Sequence, residues 1–219
     1  MRPRIAATLA IAGATAGVAW LSLQPFSPGP NGSRGAPHAD RAVFSATRFS
    51  GVREDCSSRS EASFPGAFSD SRNLVVGPLV LIGGAFTDAV TVREYGGNKF
   101  PLLVTAGHAV TVRIGAAARR TAGLAYGPLP QGREITWRDA HRSVSFVACR
   151  PGKAPRRYSP KGPSGSDADG VSVTFWSGFV LARRPACVPL EVYVDEAAAP
   201  RRVGLPLGRA CHRPAQSSQ

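Results

Sequence analysis

The strongest constraint on the fold is a pattern: apolar residues come in short runs, many at period two, and each run is cut off by glycine or proline. Val110, Val112 and Ile114 alternate with Thr111 and Arg113; Val144, Phe146 and Ala148 alternate with serine and valine; Val171, Val173 and Phe175 alternate with Ser172 and Thr174. Side chains of an extended strand point alternately to opposite faces, so this spacing marks strands with one face buried. Further β-rich runs are Leu74–Ile82, Phe100–Val104, Leu124 to Tyr126, Gly178–Leu181, Val188–Val194 and Val203–Leu207. The 24 glycines and 19 prolines supply the breaks between them. The expected fold is therefore all-β, an antiparallel sandwich of about eight short strands. Helical patches at Ala116–Thr121 and Glu196–Ala199 are too short to shape it, and Glu94–Asn98 reads as a turn.

An immunoglobulin pattern is excluded on tryptophan placement, because Trp137 precedes Cys149 and Trp176 lies well beyond it. Arg150–Gly170 holds four prolines and several glycines and reads as one long loop.

The amino terminus follows different rules. Arg2 and Arg4 precede Ile5–Leu23, an uncharged run close to the length of a spanning helix, and the next charge is Arg34. The positive-inside bias keeps the first residues in the cytoplasm and sends the rest across. Ala14–Ala16 resembles a leader-peptidase site but lies inside the run, and Trp20 suits an interfacial position, so an uncleaved anchor is expected. Residues 24–54 read as a Pro/Gly/Ser-rich tether, 55–213 as the β domain and 214–219 as a tail. The expected location is extracytoplasmic, anchored by a single pass or secreted.

Cys56, Cys149, Cys187 and Cys211 all fall on the exported side, where an even number of cysteines reads as two disulfides. Zinc spacing is absent, since no two form a Cys-x2-Cys pair. Three connectivities are open; pairing sequence neighbours gives Cys56 with Cys149 and Cys187 with Cys211.

The formal charge of +13 is carried by arginine pairs spread along the sequence, Arg119-Arg120, Arg156-Arg157, Arg183-Arg184 and Arg201-Arg202. No long basic run appears. A solvated basic surface is expected rather than a nucleic-acid site, with attraction to an anionic envelope polymer, carbohydrate or lipid headgroups as the expected partner chemistry.

Several segments, Asn73–Leu79, Phe146–Gly152, Phe175–Leu181, Cys187–Val192 and Leu207-Gly208 with Cys211, resemble a group of uncharacterised exported, membrane-anchored proteins of actinobacteria with an all-β domain and four cysteines. The resemblance runs from about Cys56 to the end and implies a bacterial envelope setting with structural cysteines. It carries no activity.

Motifs for chemistry are sparse. Thr105–His108 resembles the histidine-bearing strand end of trypsin-like serine proteases, with Asp139 and Ser164 or Ser166 following in that family's order. Catalysis there needs backbone amides beside the serine, and Pro163 has no N–H to give. No Gly-x-Ser-x-Gly elbow occurs. Asp167–Gly170 reads as a turn rather than a calcium loop, and His108 with His141 would hold a metal only if the fold joined them to a carboxylate. Trp137, Trp176, Tyr126 and Tyr158 are the aromatic candidates for stacking on a sugar. No catalytic, cofactor or metal residue is assigned; binding or a structural role is the expected function, and a hydrolase with His108 as general base is the alternative.

Overall fold

The computed structural model describes residues 51–60, 62–150 and 170–211, all within the compact unit Arg41–Gln219. Ile5–Leu23, the tether to Asp40, Ser164, Ser166, Tyr158 and the tail from His212 lie outside the described residues. Among the described residues no helix is long and apolar enough to cross a membrane.

The fold is mostly β. Its strands are β1 (Val52–Glu54), β2 (Leu74–Val76), β3 (Leu79–Leu81), β4 (Gly97–Lys99), β5 (Leu102–Thr105), β6 (Ala109–Ile114), β7 (Ala122–Ala125), β8 (Ser143–Val147), β9 (Val173–Trp176), β10 (Phe179–Ala182), β11 (Ala186–Val194) and β12 (Arg201–Leu207). They form three sheets, ordered β1-β8-β6-β11-β12, β4-β10-β7 and β2-β3-β5-β9, with no closed barrel among the described residues.

This count exceeds the expected eight because the run Leu74–Ile82 is divided and because β1 and β4 form in stretches expected to be tether and turn. Leu74–Ile82 folds back at Gly77, whose φ of 60° lies in the left-handed region that favours glycine, and at Pro78, giving the β2–β3 hairpin with Val75 opposite Val80. Pro101, lacking an N–H, separates β4 from β5. The two pieces then join different sheets: Lys99 faces Phe179, whereas Leu103 faces both Val80 and Phe175. All pairs are antiparallel except one. β1 runs parallel to β8, with Val52 opposite Val144 and Glu54 opposite Phe146, so residues assigned to the tether belong to the folded sheet.

The expected turn at Glu94–Asn98 is instead the end of a helix and the start of β4. Helix α1 (Ala89–Tyr95) begins where the Asp88 carboxylate accepts the N–H groups of Val90 and Thr91, and it ends at Gly96, left-handed at φ 68°, whose N–H donates to the Val92 carbonyl. Val90, Thr91 and Val92 are β-branched and look strand-like in sequence. Caps at both ends, together with burial of Val92 in the core, outweigh that preference.

The central core is aromatic. Phe146 lies edge-on to Tyr126 at 5.3 Å between ring centres and tilted against Trp176 at 5.2 Å. Each buried polar tip has a partner: Tyr126 donates its hydroxyl to the Phe100 carbonyl at 2.6 Å, and Trp176 donates its indole N–H to the Asp55 carbonyl at 3.1 Å. Desolvation pushes the Tyr126 phenol far above its ordinary range. A second cluster, Ala67, Val80, Leu103, Val173 and Phe175, covers the opposite face of the β2-β3-β5-β9 sheet. With both faces buried, β3 and β5 carry continuous apolar runs instead of alternation.

The ring of Tyr126 leaves no room at Gly178, where an added Cβ would come within 2.2 Å of it. Gly178→Ala is expected to lower stability by about 1 to 3 kcal/mol through overpacking. Tyr126→Phe, which leaves the Phe100 carbonyl unpaired, is expected to cost about 1 to 2 kcal/mol. Urea unfolding midpoints of the two variants against the parent protein check both values.

Candidate functional site

The four cysteines form two bridges. Cys56, just beyond β1, joins Cys149, just beyond β8, with Cα atoms 4.9 Å apart; Cys187 in β11 joins Cys211, beyond β12, at 5.0 Å. This is the pairing of sequence neighbours. The first bridge locks together the ends of the one parallel pair, and the Cys149 N–H donates to the Thr174 hydroxyl at 2.7 Å. The second crosses β12 directly over Gly204, where a Cβ would meet Cys211 Sγ at 2.6 Å. Only glycine lets the sulfurs pass so close to the strand.

His108 stands at the entrance to β6. Its Nδ1 lies 2.9 Å from Asp195 Oδ2, while Asp195 Oδ1 accepts the Ala109 N–H at 3.0 Å. The Asp195 N–H in turn donates to the Ala109 carbonyl at 2.7 Å. Three hydrogen bonds thus hold Asp195, at the exit of β11, in a left-handed conformation with φ 50°. That conformation costs a residue with a Cβ roughly 1 to 2 kcal/mol. An ionised carboxylate only accepts, so Nδ1 carries the proton and Nε2 is left as the basic atom of the neutral ring. The imidazole side chain is 43% exposed.

The acid beside His108 is therefore Asp195, not Asp139. Asp139 accepts the backbone N–H of Thr136, then its hydroxyl, and pairs with Arg133, which together hold its carboxyl below the ordinary aspartate range. Its role is to close the turn before β8. His141 is likewise separate, with Nε2 3.0 Å from the Pro128 carbonyl. Among the described residues no group of three His, Cys, Asp or Glu side chains is placed to hold a metal. Of the aromatic candidates, Tyr126 and Trp176 are buried in the core. Trp137 is half-buried, with the Arg138 and Arg142 guanidinium groups 4.9 Å and 5.8 Å from its ring centre.

A cleft of about 350 Å³ opens at the other end of the central sheet. Its walls come from the 3-10 turn Ala116–Ala118 and Thr121, from Arg184 to Cys187 leading into β11, and from Arg209 and Ala210 after β12. The Arg183 N–H donates to the Thr121 carbonyl at 2.8 Å, and Ala186 bridges to Gly208. Arg184 and Arg209, distant in sequence, both border this cleft, which no linear reading of charge reveals.

No known protein-family model matches the chain, and neither a curated protein nor a solved structure matches it. The cysteine bridges give a direct test of the frame that holds both sites. Replacing Cys56 and Cys149 together by serine is expected to lower stability by about 3 to 5 kcal/mol, and replacing Cys187 and Cys211 by less, because their loop is shorter. Denaturant midpoints of the two double variants measure the difference.

Proposed function

We propose that this chain works outside the cytoplasm, anchored at the cell envelope by Ile5–Leu23 or secreted, as a binding or structural module whose three sheets pack in the manner of a sandwich. The observation that carries this reading is the pairing of all four cysteines in two bridges, each at a sheet margin. Such bonds persist in oxidising compartments and are compatible with an extracellular location. The basic leader Met1–Arg4 and the resemblance to exported actinobacterial proteins support the same reading. Alkaline phosphatase fused after Gln219 is expected to be active, and a green fluorescent reporter at the same place dark. The reverse pattern, or four alkylatable thiols in protein taken from its own cells, overturns the proposal.

One observation favours a second reading, a hydrolase with His108 as general base. Asp195 holds Nδ1 of a part-exposed ring, and a histidine oriented by a carboxylate in this way can take a proton from water or a hydroxyl. On that reading, His108→Ala and Asp195→Asn both reduce the rate of activated-ester hydrolysis by about 100-fold or more without changing the unfolding midpoint. Ester turnover by the parent protein no faster than that of either variant rejects it.

A further inference from the structure

From the arginine-walled cleft we infer a binding site for an acidic glycan, taking a sugar unit that bears an oxyanion, either phosphate ester or carboxylate. The inference rests on the binding half of the reading above and gives that module a ligand class. Arg184 and Arg209 both border the cleft, and among the described residues no Asp or Glu lines it. Neither arginine is engaged by a carboxylate among the described residues. The nearby acid Glu191 lies 3.9 Å from both Arg119 and Arg202, so the charge it offsets belongs to those two. Two guanidinium groups without a partner beside one concavity favour an oxyanion, which their planar N–H forks bind with charge-assisted hydrogen bonds.

The rest of the wall is small and apolar: Ala117, Ala118, Pro185, Ala186 and Pro189, with the Cys187 end of a disulfide. Such a floor accepts the C–H face of a ring, and the volume is at the small end of the range for ligand sites. It is also firmly built. The Gly115 N–H donates to the Pro189 carbonyl at 2.7 Å, and the Ala118 N–H to the Gly115 carbonyl at 2.9 Å, so the 3-10 turn is fixed to β11. The Cys187–Cys211 bridge ties the segment carrying Arg209 to the same strand. Little ordering remains to be done on binding, which favours affinity.

The test uses the purified chain in solution, so its outcome is independent of where the protein resides; loss of the export result leaves it standing, and its failure leaves export standing. Isothermal titration with glucose 1-phosphate, glucuronate, glucose, inorganic phosphate and a short DNA duplex separates the sources of the oxyanion. Binding of glucose 1-phosphate or glucuronate at least 10-fold tighter than glucose and inorganic phosphate is expected; the tighter of the two acids identifies a phosphorylated or a uronic polymer. Arg184→Gln and Arg209→Gln are each expected to weaken that binding about 10-fold with unchanged unfolding midpoints. The proposal is overturned if inorganic phosphate binds as well as the sugar acids, if the DNA duplex binds more tightly than either, or if both variants bind like the parent. Ala117→Trp, at an exposed position of the cleft wall, fills the cleft and leaves the charge in place; it is expected to abolish sugar-acid binding with an unchanged unfolding midpoint, and full retention also overturns the proposal.

Discussion

Everything in this molecule is referred to β6. It pairs with β8 on one side, Val112 opposite Val144, and with β11 on the other, Val112 opposite Val192, so its backbone polar groups are satisfied within the sheet while Val110, Val112 and Ile114 fill the core. A strand bonded on both sides and buried cannot shift register without exposing its apolar set. Its two ends are consequently fixed points. His108 precedes the first residue of β6 and Gly115 follows the last, so the histidine site and the turn that walls the arginine cleft are held roughly 20 Å apart by six extended residues.

The bridges secure the margins of this sheet rather than its centre. β1 is a three-residue parallel edge, too short to hold by its own hydrogen bonds, and Cys56–Cys149 fastens the chain just beyond it to the end of β8. At the opposite margin β12 is an edge strand, and Cys187–Cys211 folds the following segment back over Gly204 onto β11. That covering restrains Arg209 and leaves less of the edge open to pairing with another chain. The cross-link that secures this margin thus also builds one wall of the cleft.

Where the chain alternates, the strands were legible. β6 and β8 fall where the period-two pattern puts them, because each has a core face and a less buried one. Where both faces are buried, as in β3, the alternation vanishes, and the long run Leu74–Ile82 conceals a turn at Gly77-Pro78. Helix α1 is hidden for a different reason: its interior residues prefer strands, and its caps, Asp88 and Gly96, are residue types equally common in turns. Asp139 fits the chain order of trypsin-like proteases, whereas the acid beside His108, Asp195, reaches it through the β6–β11 ladder, which pairs Val110 with Val194.

The sequence by itself determined the β character, the even set of cysteines and the order of two arginines before an uncharged run, since periodicity, parity and charge order are properties of a string. Which residues meet was decided only by the tertiary structure. His108 and Asp195 are 87 positions apart, and the two arginines of the cleft, Arg184 and Arg209, come from separate segments. Strand register brings them together, and register is set by the packing of buried faces against one another, a property no single segment carries.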